Sequence, residues 1–345
     1  MAASPEQSPG DVVLRVEGLR KHFTTPGGFR RQPVVVRAVD DVSFDLARGE
    51  TLGVVGESGC GKSTVARTLM RLDEPTAGRA LLDGADVFAM GPRELRRARR
   101  RMQIVFQDPY ASLNPRMTVE EIIAEPWDIH PEVLERRERP ERVRALLESV
   151  GLRRDHAERY PHQFSGGQLQ RIGVARAMAL EPEVLICDEP VSALDVSVQA
   201  QVVNLLEEIQ ARLGIAYIFI AHDLAVVRHL SHRIAVMYLG RIVEIGPEAE
   251  ISEAPRHPYT KALLSAEPRL DLDAESDAAP RQRILLGGEV PSPADPPSGC
   301  RFRTRCWKAT ELCAREAPPL TADPESRSRP PRLVACHFPE SDAGS

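Results

Sequence analysis

No stretch of this chain stays apolar for the roughly 18 to 20 residues that a membrane-spanning helix needs. The longest candidate, AYIFIAHDLAVV, is interrupted by His222 and Asp223. Charge of one sign is not in excess either. The 45 Lys and Arg face 50 Asp and Glu, a net charge of −5 that argues against a general nucleic-acid binder. The opening MAASPEQSPG has neither the basic start nor the apolar h-region of a secretory signal, and reads as a short disordered tail over 1–10. Cysteine is sparse until late: Cys60 and Cys187 come first, then Cys300, Cys306, Cys313 and Cys336 crowd the end. The expected location is the cytoplasm, where structural disulfides are rare, with any membrane attachment supplied by a partner.

What is present suffices for a sizeable core, with 42% hydrophobic and 28% charged residues in 345. TLGVVG, EVLICDEP and IAYIFIAHD are short apolar runs that each end at a polar motif. Separated by helical stretches, they predict a mostly parallel sheet covered on both faces. VVVRAVDDVSFDL reads as a half-buried strand and turn. From about Asp108 the chain turns rich in Glu, Arg and Leu, with helical spacing in PERVRALLESVGL, as expected of a helical insertion. Fourteen of the 29 prolines lie from Pro255 onward, which predicts a tail of irregular structure wrapped on itself or on the core.

GESGCGKST carries the pattern G-x-x-x-x-G-K-[ST] through Gly56, Gly61, Lys62 and Ser63. It sits between a strand (TLGVV) and a helical run (TVARTLMRL), as a phosphate loop must. Backbone N–H groups of Gly56, Glu57, Ser58, Gly59, Cys60 and Gly61 would wrap phosphates. Lys62 supplies a point charge, the Ser63 hydroxyl can ligate Mg²⁺, and Thr64 supports the helix start. Cys60 is read as a small filler.

In LICDEP an apolar strand delivers Asp188 and Glu189 to the carboxyl edge of the sheet. Asp188 would hold Mg²⁺ mainly through its water shell, and Glu189 would orient and deprotonate an attacking water. Two further strand-end residues are candidates. His222 could contact the γ-phosphate and hold water and Glu189 in register, and Gln107 could touch Mg²⁺ or the water. A hundred residues past the phosphate loop, FSGGQLQR places Ser165, Gly166 and Gly167 before a helical pattern, a second cradle for phosphate.

Taken in order, GESGCGKST, the Gln107 loop, FSGGQ, LICDEP, SALD and His222 resemble an ATP-binding cassette ATPase. The resemblance implies an α/β fold: a P-loop NTPase (RecA-like) nucleotide-binding domain with an antiparallel β subdomain, an inserted helical subdomain and a C-terminal Cys-containing extension. It implies boundaries of 11–255 for the ATPase domain, about 108–170 for the helical part, and 256–345 for the extension. It also implies ATP as substrate, with Mg²⁺, and catalytic roles for Glu189, His222 and Gln107. Ser165, Gly166, Gly167 and Gln168 would then bind the γ-phosphate of ATP seated on a second subunit. Asp195 would lie at the seam, and Phe23 would stack on adenine, where its alternative is a core or edge aromatic. Phe164 stands where the family usually has leucine.

FQDPYASLNPRMTV, DEPVSALDVSVQAQVVNLL, RHPYTKALLSA and GEVPSPADPPSGCRF narrow the resemblance to dipeptide/oligopeptide importer ATPases. It covers nearly the whole chain, apart from the N-terminal tail and Leu270 to Ala279. The partners implied are a second ABC ATPase subunit, a sibling forming a heterodimer or else a second copy forming a homodimer, with two transmembrane permeases and an extracytoplasmic substrate-binding protein. The implied site of action is the cytoplasmic face of the membrane. RYPHQ and Tyr110 to Glu121 would face the permeases, and the RRARRR run (Arg96 to Arg101) is read as a solvated helix face. Rival readings, a DNA-repair or translation cassette, lack support. Lys62 and Ser165 are too close for an intervening coiled coil, one cassette is present, and no NKxD motif marks a GTPase.

The spacing Cys-x5-Cys-x6-Cys-x22-Cys matches neither paired zinc knuckles nor ferredoxins, leaving a metal site or four reduced thiols open. The family resemblance implies a [4Fe–4S] cluster on Cys300, Cys306, Cys313 and Cys336, with zinc or His337 as lesser alternatives.

Overall fold

The structure is a computed structural model that describes residues 12–25, 33–266 and 283–341; the expected tail at 1–10 and the variable stretch from Leu270 to Ala279 lie outside them. Its twelve described strands form two sheets. The smaller is antiparallel and joins β1 (Val12–Thr25), β2 (Val34–Ala47), β4 (Ala77–Leu82) and β5 (Ala85–Asp86) in the order β2-β1-β4-β5. The larger joins β3 (Thr51–Val55), β6 (Met102–Val105), β7 (Val184–Asp188), β8 (Ala216–Ile220), β9 (Arg233–Tyr238), β10 (Arg241–Pro247), β11 (Thr321–Ala322) and β12 (Leu333–Val334) in the order β11-β12-β10-β9-β3-β8-β7-β6.

The three apolar runs become β3, β7 and β8, each five residues long and buried throughout. Alternation explains why both faces must be apolar. Leu185, Cys187, Tyr217 and Phe219 point into the core shared with the helical region. Val184, Ile186, Ile218 and Ile220 point into the core shared with the antiparallel sheet. Burying one such aliphatic or aromatic side chain contributes roughly 1.5–3 kcal/mol. The parallel register sets Val54 beside Ile220, Asp188 beside Ile220, and Val105 beside Cys187. The strands β3, β6, β7 and β8 therefore end together, and everything that follows them emerges along one edge.

Helix α1 (Lys62–Leu69) leaves that edge after β3 and fills the space between the sheets with Val65, Ala66 and Leu69. Helix α2 (Pro92–Arg101) leads into β6. Between β6 and β7 lie α3 (Pro109–Ser112), α4 (Val119–Ile129), α5 (Arg139–Ser149) and α6 (Gly166–Met178). Apolar packing dominates there, with buried polar ties on Trp127 of α4: its indole donates to the carbonyl of Ala179 at the end of α6, and its own carbonyl accepts Arg139 of α5, both 2.8 Å away. Helix α7 (Val196–Leu213) and the short α8 (Leu224–Leu230) flank β8.

Two sequence expectations change. VVVRAVDDVSFDL is not a strand and turn but part of one continuous strand of 14 residues, Val34–Ala47. Asp41, at φ 73°, absorbs the irregularity, and the β1–β2 register shifts nearby, a bulge rather than a reversal. The proline-rich tail is not simply irregular. After α9 (Glu248–Glu253), α10 (Pro258–Ser265) and α11 (Glu311–Arg315), it adds β12 to the free edge of β10 and β11 to β12. Buried ion pairs hold it there. Asp323 receives Arg332 at 2.6 Å and Arg256 at 3.2 Å. The buried Glu244 of β10 accepts the backbone N–H groups of Arg256 and His257, both at 2.9 Å.

Candidate functional site

Residues 56–64 run from the end of β3 into α1. Gly61 caps the helix at φ 109°, and a Cβ there would stand 2.1 Å from the Ala38 carbonyl oxygen, so the turn requires glycine. Lys62 is 4% exposed, and its Nζ donates to the carbonyls of Gly56 at 2.8 Å and Glu57 at 3.3 Å. Cys60 packs behind the loop, where burial pushes its thiol up, in keeping with a filler role. Ser58 and Gly59 are exposed at the tip. The Thr64 carbonyl accepts the Thr68 hydroxyl at 2.6 Å within α1.

The next two strands bring their polar ends against this loop. The Ser63 hydroxyl donates to Asp188 Oδ1 at 2.8 Å. Glu189 takes a left-handed backbone at φ 48°, a cost of about 1–2 kcal/mol for a side-chain-bearing residue. Its N–H is held by the Ile220 carbonyl at 2.9 Å. That turn aims its carboxylate inward, where Gln107 Nε2 donates to Oε2 at 3.0 Å. His222 Nδ1 stands 3.7 Å from the same oxygen, and Lys62 Nζ 4.0 Å from Oε1. Burial pushes the Asp188 carboxyl up and the neighbouring Glu189 charge adds to the push, against the Ser63 hydrogen bond and the Lys62 and Arg67 charges. A part-buried hydroxyl–carboxylate pair beside a second carboxylate is an oxygen donor set suited to a hard divalent cation. The five predicted side chains Lys62, Ser63, Gln107, Asp188 and Glu189 thus meet at one place, with His222 at its rim.

Ser165, Gly166, Gly167 and Gln168 do not join them. Among the described residues no hydrogen bond links this segment to the phosphate loop of the same chain. Ser165 is an exposed N-cap of α6, closed reciprocally by Gln168. Gly167 has a packing reason as well: a Cβ there would meet Val198 Cγ1 of α7 at 2.3 Å. Asp195 is exposed at the N-cap of α7, followed by Val196, which is 82% exposed. Phe23 lies on β1, 40% exposed with Lys21 Nζ 4.6 Å from its ring centre, so it is not a core aromatic. The arginines of RRARRR are partly in structural use. Arg99 donates to the Met70 and Arg71 carbonyls, and Arg101 with Arg48 pairs Asp83 and Glu183.

The cysteine expectation gains no support from the arrangement of these side chains. Cys313 lies near enough to influence Cys300 and Cys306, which in turn influence Cys336, and burial pushes the Cys300, Cys306 and Cys336 thiols up, Cys336 to about 11. Among the described residues, however, no three His, Cys, Asp or Glu side chains are grouped to hold a metal ion. Cys306 and Cys336 sulfurs accept backbone N–H groups, Cys313 faces the Thr310 hydroxyl, and His337 meets the Glu316 carbonyl. As grouped here, the four cysteines give the expected [4Fe–4S] cluster, and zinc, no support.

Comparison with known proteins gives the family. The ABC transporter family matches residues 39–192, and the C-terminal region of oligopeptide/dipeptide transporters matches residues 243–313. A probable peptide ABC transporter ATP-binding protein of Sinorhizobium fredii is 55% identical over 328 residues, covering 95% of this chain and 90% of its own. The chain belongs to the ABC transporter ATPases. The oligopeptide transport ATP-binding protein AppF of Bacillus subtilis is 50% identical, over 95% of this chain and 98% of its own. A dimeric ATP-binding cassette in a post-hydrolysis state, bound to ADP and Pi, superposes with a TM-score of 0.61 at 27% identity, covering 68% of this chain and 98% of that one.

Two contacts of this ABC ATPase had no signal in local sequence. The Glu57 N–H donates to the Tyr259 hydroxyl at 2.9 Å, and Arg305 forks onto the Glu57 carboxylate at 2.8 and 3.1 Å. The partners stand 202 and 248 positions apart, beyond any spacing rule.

Proposed function

We propose that this ATPase energises uptake of dipeptides or oligopeptides from the cytoplasmic face of a membrane. It would pair with a sibling ATPase and drive two permeases fed by an extracytoplasmic binding protein. The observation that carries the ATPase chemistry is the meeting of Lys62, Ser63, Asp188, Gln107 and Glu189 at one sheet edge. The names of the relatives support peptide cargo over nickel complexes or sugar conjugates. Phosphate-loop N–H groups and Lys62 would hold the ATP phosphates, and Phe23 would stack on adenine. Ser63, Asp188 and Gln107 would hold Mg²⁺, which supplies charge neutralisation on the phosphates.

Glu189 would take the proton of a water attacking the γ-phosphorus as the bond to the ADP oxygen breaks, with His222 steadying both. Ser165 lies exposed at the start of α6 with Gly166 half-buried beside it, and neither bonds to its own phosphate loop among the described residues, which supports a role on the partner's ATP with Asp195 at the seam. ATP would then act as the glue of a closed pair, and hydrolysis would release it. The experiment is uptake of labelled peptides into vesicles holding the whole transporter. Lys62→Ala should abolish ATP-driven uptake; nickel or sugar uptake without peptide uptake would reject the cargo.

A further inference from the structure

The two contacts on Glu57 tie the phosphate loop to the C-terminal extension. Four parts of the chain meet there: the loop itself, the end of β9 at Tyr238, α10 at Tyr259, and the segment carrying Phe302 and Arg305. Tyr238 packs its ring 4.7 Å from that of Tyr259 and 5.2 Å from that of Phe302. The guanidinium of Arg305 lies 5.9 Å from the Tyr238 ring centre, and its side chain is 8% exposed. It is a fixed fork, held from behind and spent on one carboxylate.

That carboxylate belongs to a loop built to hold a polyanion. An unpaired acid at Glu57 would repel the triphosphate it borders, and low exposure behind it would strengthen the repulsion. The Glu57 peptide is also gripped at both ends, its N–H by Tyr259 and its carbonyl by Lys62. When Lys62 turns to phosphate it releases the carbonyls of Gly56 and Glu57. Tyr259 and Arg305 then remain to keep the loop in shape.

We propose that Arg305 is a positioning residue for nucleotide binding: through Glu57 it neutralises and fixes the phosphate loop, making the C-terminal extension part of the ATP site. This rests on the reading of residues 56–64 as an ATP site.

The test is equilibrium binding of MgATP to the full-length chain and to Arg305→Gln, Glu57→Gln and the double variant, with Lys62→Ala as a binding control. Arg305→Gln should weaken MgATP about tenfold, the lower end of what losing a supporting partner costs at a binding centre. Adding Glu57→Gln should recover most of that loss, because the repelling charge is gone. A purely structural Arg305 would show no such recovery. Affinity unchanged in Arg305→Gln, or a double variant no better than the single, overturns the proposal while leaving the ATP site intact. No binding by the unaltered chain would overturn both. Should Arg305→Gln fail to fold, Arg305→Lys carries the test. A point charge without the fork should bind MgATP well at low salt and lose affinity more steeply than the unaltered chain as salt rises. An identical salt response overturns the proposal.

Discussion

Gln107 donates its side-chain amide to Glu189 across 3.0 Å, joining the strand end that leads into the helical region to the strand end that carries the carboxylate pair. One hydrogen bond therefore couples the position of the helical region to the group proposed to activate water.

Glu189→Gln removes the base but keeps an acceptor for Gln107. Turnover should fall by about 10²–10⁴-fold, while MgATP binding persists and the closed pair accumulates. Steady-state phosphate release and size-exclusion chromatography with ATP check both. Undiminished turnover would remove Glu189 from the chemistry.

Phe23→Ala should weaken ATP binding about three- to tenfold, the equivalent of an aromatic stacking contact. Inhibition by inorganic triphosphate, which has no base to stack, should stay the same. Equal effects on both ligands would assign Phe23 a structural role.

Gly167→Ala places a methyl within 2.3 Å of Val198 Cγ1 at the α6–α7 contact. Overpacking of this kind costs about 1–3 kcal/mol. The melting temperature should drop, and Val198→Ala, which removes the clashing methyl, should restore it. Failure of the second change to rescue would place the cost elsewhere.

His257 caps α10 through Nδ1, which accepts the Tyr259 N–H at 3.1 Å. Complete burial lowers its pKa from 6.5 to about 3, so the unfolded chain takes up the proton first. Its contribution to stability is full above pH 6.5 and is lost as pH falls from 6.5 towards about 3. His257→Asn retains a capping oxygen without the titration. It should flatten the decline in melting temperature across that window; an unchanged slope would exclude His257 as the source.

The sequence made the phosphate loop, the Asp188–Glu189 strand end and the three buried strands legible because each is a local pattern. GKST needs only a strand before it and a helix after it, and VLICD must be apolar on both faces to lie inside a parallel sheet. Harder to read were features set by distant partners. The bulge at Asp41 resembles a turn because a polar pair interrupts the alternation either way. Strands of two residues, such as Leu333–Val334, carry no periodicity at all. The cysteine spacing says nothing about where each sulfur points, and the structure gives most of them backbone or hydroxyl neighbours instead. Arg305 looks like any other arginine in a proline-rich tail until Glu57 is beside it.

The pairing of Leu333 and Val334 with β10 gives the proline-rich tail a protective duty. Cut away before Arg332, the chain would present the N–H and C=O row of β10 and the buried acid Glu244 to water, an open template for another molecule's strand. Shortened versions of the protein should therefore precipitate rather than simply lose a regulatory appendage.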